Sequence, residues 1–198
     1  MKVNRVLFYG STYLTELVID KVCKTQHVVG YVPCKGKPTI PSSNINAPLY
    51  DGVSPYDIAI SVQYDRKLPV DGRTFNLHTG LLPDYGGRDI LRHTLSEKQD
   101  EQGLTFHLIS SEYDSGQIIS KITYPVIDGD TEKHLYQKQC LIAPDFVVSC
   151  LHLIKSMTEE MIELCHSFTP RLLDRDGSGK DQDFNSWKLT NTGDVDYV

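Results

Sequence analysis

The sequence predicts an α/β protein: a single domain built on a mostly parallel β-sheet with helices on both faces. Three observations lead there. Short apolar runs rich in β-branched and aromatic residues alternate with segments whose apolar residues recur at helical spacing. Several of those runs end at Gly or polar turns, as strands feeding crossover connections do. A length of 198 residues, with 39% apolar and 23% charged residues, suits one soluble domain with a real core.

Val3–Phe8 reads as a buried first strand closed by Tyr9-Gly10-Ser11-Thr12, and Leu14, Leu17, Val18 and Val22 predict a first helix to about Cys23. His27–Val32 is a second strand. Residues 33–56, rich in Pro, Lys, Ser and Asn, read as irregular chain with at most one short element. Asp57–Val62 and Arg73–His78 supply two more strands, and residues 80–87 a loop. Asp89–Ser96 predicts a helix with Asp89 as its N-cap. Thr105–Ser110 and Ile118–Ile127 read as strands joined by the Ser111–Gly116 loop. Residues 131–165 predict a long helix capped by Asp130, which Pro144 should kink or split because Pro blocks an interior helical hydrogen bond. From Phe168 the chain turns polar, with Trp187-Lys188-Leu189 as its one apolar point, so the expected division is a domain at 1–167 and a polar tail at 168–198.

Composition narrows the function. A net charge of −6 argues against a protein that holds nucleic acid through a broad basic face. The start of the chain turns polar too soon for a signal peptide, and no apolar run approaches a membrane span. Five cysteines without a Cys-x-x-Cys pair indicate neither a disulfide framework nor a zinc ribbon. The expected location is the cytoplasm. His27, His93, His134, His152 and His166 show no metal-ligand spacing.

The most informative stretch is Phe75-Asn76-Leu77-His78-Thr79-Gly80-Leu81-Leu82-Pro83, followed by Glu112-Tyr113-Asp114-Ser115-Gly116. Asn76 and His78 alternate by two, so on a strand they share a face. An amide can donate to a developing oxyanion, an imidazole can carry a proton near neutral pH, and a carboxylate can set that imidazole's charge. The trio suits attack by an external nucleophile on a carbonyl carbon, with no Ser or Cys nucleophile from the protein. In such sheets ligands bind at the carboxyl ends of strands, where His78 and the Asp114 loop are both expected.

The pattern Asn-x-His-x-Gly-Leu-Leu-Pro with a later Asp-Ser-Gly before an apolar strand resembles the signature of the 10-formyltetrahydrofolate-dependent N-formyltransferases. The likeness runs over roughly residues 1–165 and implies a Rossmann-like formyltransferase sheet. It implies Asn76, His78 and Asp114 as catalytic residues. It implies a pteridine pocket lined by Val62, Gln63, Tyr64, Arg66 and Leu68 on one wall and Leu108, Ser110 and Tyr113 on the other. Its co-substrate would be 10-formyltetrahydrofolate, and its acceptor the primary amine of a small phosphorylated molecule. Gly10, Ser11, Thr12, Tyr13 and Arg88 are the candidates for holding that acceptor; Gly10-Ser11-Thr12 before a helix can seat a phosphate or merely cap. Partners would be small molecules, neither nucleic acid nor membrane, with a homodimer left open.

The chain departs from the family pattern in four places. Gly80 stands where a Ser is common, and the cation often found near Gly86 is replaced by Arg88 two residues on. Tyr13 and Gln139 stand where the purine-pathway enzymes carry an Asn and a Glu. A nucleotide-linked amino sugar is therefore the first expectation for the acceptor, and glycinamide ribonucleotide the second. A formyltetrahydrofolate hydrolase or a non-catalytic folate-binding module are the remaining alternatives. His107, Arg92 and Lys98 read on their own as a sheet residue and a solvated helix face.

Overall fold

The computed structural model describes residues 3–36, 39–163 and 172–173. Its strands are β1 (Arg5–Tyr9), β2 (His27–Val32), β3 (Ile58–Val62), β4 (Thr74–His78), β5 (Gly86–Gly87), β6 (Glu101–Leu108), β7 (Ile118–Pro125) and β8 (Leu172–Leu173); its helices are α1 (Tyr13–Val22), α2 (Ile90–Ser96), α3 (Glu132–Ser156) and α4 (Glu159–Glu163). The main sheet has six strands in the order β2-β1-β3-β4-β6-β7. β2, β1, β3 and β4 are mutually parallel, whereas β6 runs antiparallel to β4 and to β7. The expected α/β fold with a mostly parallel sheet is present. Apart from β8, the expected tail, with Trp187-Lys188-Leu189, lies outside the described residues, as does the 167/168 boundary.

Register assigns the side chains to faces. Phe8, Ile60, Phe75, Leu77 and Phe106 share one face; Leu7, Ala59, Ser61, Asn76, His78 and His107 share the other. The first face forms the core with the buried sides of α1 and α3, which pack on each other, and the Phe75 and Phe106 rings stack at 5.4 Å. Burying each such ring contributes about 1.5–3 kcal/mol. The helical layer concentrates on this side. In the crossovers that lead to β3 and β4, the described residues hold one 3-10 turn, at Ser42–Asn44. Residues 48–50 run along the β2 edge through a parallel bridge between Tyr31 and Leu49, and the Tyr64 ring meets Tyr9 at 5.3 Å. Pro, Gly and Asp recur in both segments, which explains their irregular course.

Three local expectations are corrected. Asp89 precedes α2 in a left-handed conformation and makes no capping bond; the fold uses that residue to turn the chain. Asp130 does not cap α3. Thr131 does, in a reciprocal capping box with His134, while the buried Asp130 carboxylate binds Lys138 and the Ile127 N–H. Pro144 neither splits α3 nor ends it: the helix continues to Ser156 and stops at Met157, short of the expected Cys165. Buried Cys140, Ala143, Val147 and Leu151 hold the helix to the sheet on either side of the missing hydrogen bond. Thr131→Ala should therefore cost about 1 kcal/mol in a urea unfolding titration, the usual value of a lost N-cap.

Candidate active site

The site is built on β4 and β6. Their antiparallel register sets Asn76 opposite His107 and His78 opposite Thr105, so four polar side chains meet on one face. The Asp114 loop reaches them by an unexpected route. Leu108, at the end of β6, lies beside Phe75 at the start of β4, so the loop does not leave from the carboxyl end of β4. It folds back over the face instead. Gly116 makes this possible, because a Cβ there would lie 1.6 Å from the Leu108 carbonyl oxygen. Asp114 itself takes a φ of 51°, and Ser110 and Ser115 tie the loop together at 2.6 Å.

This return places the Asp114 carboxylate 3.3 Å from His78 Nδ1, with its second oxygen accepting the Gly87 N–H at 2.9 Å. On the far side of the ring, His78 Nε2 donates to the Tyr85 carbonyl, at 2.5 Å. Both ring nitrogens thus face acceptors, which an imidazolium satisfies. Burial of His78, 6% exposed, opposes its charge, yet the Asp114 charge and hydrogen bond and the Tyr85 carbonyl outweigh it and leave its pKa above the ordinary value. Burial likewise raises Asp114, but the His78 charge, the His78 and Gly87 hydrogen bonds and His107 bring its carboxyl down to about 2.

The loop from Thr79 to Gly87 is shaped around that ring. A Cβ at Gly80 would lie 2.5 Å from the Tyr85 carbonyl and 2.9 Å from His78 Nε2, so the residue found there has a steric reason. Thr105 accepts the Leu82 N–H and donates to the Gly80 carbonyl, and the Gln139 amide donates to the Thr79 carbonyl and to the Tyr124 hydroxyl. Gln139 is fully buried in this support. β5 pairs in parallel with β8, which brings that short segment alongside the loop.

The other sequence candidates fall into two groups. Gln63, Tyr64, Arg66 and Leu68 follow β3 and lie near the second wall, since Lys67 sits over the Tyr113 ring at 5.6 Å. Arg66 stacks on Tyr64 at 5.1 Å, and Val62 is buried on the core face with its carbonyl accepting the Thr15 hydroxyl at 3.1 Å. Leu108 and Ser110 continue from β6 into the Asp114 loop. Gly10–Tyr13 adjoins this edge, with its polar groups engaged internally. Thr12 donates to Gln63, the Ser11 hydroxyl accepts the Cys34 N–H, and Tyr13 is a core side chain. Arg88 is exposed one residue past β5, and Arg92 pairs with Glu132 at 3.4 Å. His107, read from sequence as an ordinary sheet residue, is 2% exposed and bonded to Asn76. Only its alternation with Asn76 across two strands marks it, and pairing between distant strands is not visible in a sequence.

Comparison with known proteins gives the family. Residues 48–150, over half of the chain, match the family model described as Formyl transferase, and the chain belongs to that family. It is 30% identical over 105 residues to the methionyl-tRNA formyltransferase of Akkermansia muciniphila, covering 52% of this chain and 33% of that relative. The chain thus spans about a third of that curated relative's length. Among solved structures, the N-formyltransferase from Helicobacter canadensis, in complex with folinic acid and dTDP-3-aminofucose, superposes with a TM-score of 0.67 at 18% identity over 84% of this chain and 67% of that one. The phosphoribosylglycinamide formyltransferase from Bacillus halodurans gives 0.64 at 19% identity over 80% of this chain and 99% of that one. At these identities the structural likeness shows a shared fold.

The ion pair makes its own prediction. Asp114→Asn removes the charge that lifts His78, so the His78 pKa falls, read by NMR titration of its ring protons. The His78 contribution to stability is complete below the free imidazole pKa of about 6.5 and is lost as pH rises through the raised value. The Asp114 contribution is present above the ordinary carboxylate range and is lost as pH falls through about 2. The variant should therefore lose most of its stability difference from the parent once alkaline pH deprotonates His78.

Proposed function

We propose that this protein transfers a formyl group from 10-formyltetrahydrofolate to the primary amine of a small phosphorylated acceptor, with Asn76, His78 and Asp114 as its catalytic residues. The observation that carries the reading is the buried His78–Asp114 pair, 3.3 Å apart, on the same sheet face as the Asn76 amide. The residues around it fit a folate: the two loops expected as pocket walls meet at Lys67 and Tyr113, and both lead back to the His78 face. When bound, the folate supplies the formyl carbon that the acceptor's amine attacks.

The chain's own groups then do three things. His78, protonated because of Asp114, directs Nε2–H at the oxygen that gains charge, which takes the place of the Tyr85 carbonyl as its acceptor. The Asn76 amide donates a second hydrogen bond to the same oxygen; one such donor lowers the barrier by roughly 3–4 kcal/mol. Asp114 stays ionised, which keeps His78 charged, and helps carry the amine's proton to the departing nitrogen through water. Arg66 and Lys67 offer cations to the folate's carboxylates, and Arg88 offers one to the acceptor's phosphate. We place Gly10–Tyr13 behind Arg88 as a phosphate contact, because the Ser11 and Thr12 hydroxyls are already bonded to Cys34 and Gln63.

For the acceptor we favour a nucleotide-linked amino sugar over glycinamide ribonucleotide. The support is the chemistry at two positions: Gln139 is neutral and committed to the Thr79 carbonyl, and Tyr13 is a core ring. Leaving a buried polar group of the substrate without its partner costs about 1–3 kcal/mol. The sugar-nucleotide amine should exceed glycinamide ribonucleotide in kcat/KM when both are assayed with 10-formyltetrahydrofolate and read by mass. Efficient rescue of a purine auxotroph lacking its transformylase would reverse that order. Formate release with no amine present would instead indicate the hydrolase.

The catalytic assignment is tested with His78→Asn. Turnover should fall at least ~10²-fold while folate affinity, measured by titration calorimetry, stays within a few-fold, because the interaction lost belongs to the transition state. Near-normal turnover removes His78 from the mechanism. Asp114→Asn should also shift the alkaline limb of the pH–rate profile to lower pH, following the fall in the His78 pKa.

A further inference from the structure

His107 and His78 compete for one carboxylate. Asp114 Oδ1 is 3.3 Å from His78 Nδ1 and 3.9 Å from His107 Nε2. Two imidazolium rings around one buried charge would leave a net positive site without solvent to screen it, so one ring must stay neutral. The hydrogen bonds decide which. His107 Nδ1 lies 3.0 Å from the Leu108 carbonyl, an oxygen that can only accept, so Nδ1 carries the hydrogen. Nε2 then presents a lone pair, and the group it meets is the Asn76 amide, at 3.2 Å.

That contact also settles which end of the amide points where. An amide oxygen facing the Nε2 lone pair would be repelled, whereas the nitrogen donates to it. One N–H of Asn76 is thereby fixed on His107 and the other remains for a ligand. We infer that His107 is a positioning residue, a neutral Nδ1–H imidazole that orients the Asn76 amide so that its second N–H is presented to the oxygen that gains charge.

This inference rests on the formyl-transfer reading for its kinetic consequence, but not for its geometry. Burial and the neighbouring His78 charge, which together push the His107 pKa down to about 4, agree with a ring that stays neutral through the working range. The arrangement divides the labour between two histidines on one face: the charged one is held by Asp114, and the neutral one holds Asn76.

Two experiments test it. In long-range 1H–15N spectra of protein labelled at histidine, the His107 ring should show a protonated Nδ1 and an unprotonated Nε2 from about pH 5.5 to 8. A protonated Nε2 there, in either the other tautomer or the imidazolium, overturns the proposal whatever the enzyme's activity. The second is a mutant cycle in the formyl-transfer assay. His107→Leu should lower kcat roughly 10- to 100-fold at nearly unchanged KM for the folate, the loss expected of a misaimed oxyanion donor. In an Asn76→Ala background the same change should cost no further activity, because His107 acts through Asn76. His107→Gln, whose side-chain oxygen can accept the amide N–H, should recover part of the loss. Additive losses, or a normal kcat in a folded His107→Leu, overturn the proposal. If His107→Leu does not fold, the glutamine variant and the ring tautomer still decide it. A parent protein without formyl transfer defeats the functional reading instead, and leaves the tautomer measurement to stand or fall alone.

Discussion

The contact between His78 and Asp114 places the strongest demands on the surrounding structure. Two charges taken out of water cost several kcal/mol each unless every remaining hydrogen-bonding direction is met. Here they are met by backbone: the Gly87 N–H on one carboxylate oxygen and the Tyr85 carbonyl on the far ring nitrogen. Those two groups come from one loop, so that loop must pass close to the ring. Gly80 clears the path, and Thr105 and Gln139 hold the carbonyls and N–H groups at its beginning. The supports exist because the pair does.

The same demand explains the sheet. A carboxylate following a strand parallel to β4 would have left at the carboxyl end, level with His78 but beyond the sheet's edge. Running β6 antiparallel places His107 beside Asn76 and sends the loop back across the face, where it covers the pair it completes. The cost of that return is a close backbone approach at Gly116 and a left-handed Asp114, conformations that contribute nothing to stability on their own. Strain of this kind persists where the surrounding packing over-determines it, and the stacked Phe75 and Phe106 rings under the site provide that packing.

Charge is apportioned by neighbours rather than by residue type. Two histidines of comparable burial sit near one aspartate, and their pKa values move in opposite directions. His78 lies closer to the carboxylate and finds an acceptor at each nitrogen. His107 meets an amide donor and its own neighbouring carbonyl. Nothing in the two side chains distinguishes them; the partner atoms do.

Much of this protein is legible in its sequence. Alternating apolar runs and helical periodicities gave every strand of the main sheet and the helices α1, α2 and α3, because burial imposes period and the period is local. Asn76, His78 and Asp114 could be singled out because their chemistry is unusual in one short strand and one tight turn. Tertiary structure decided the rest. Helix starts went to Thr131 rather than Asp130, since Asp130 found Lys138 eight positions on, and α3 continued through Pro144 because its buried face was already packed. The direction of β6, the return of the Asp114 loop and the pairing of Asn76 with His107 depend on which strands lie side by side. Hydrophobic pattern records how deep a residue is buried, but not which distant residue stands next to it.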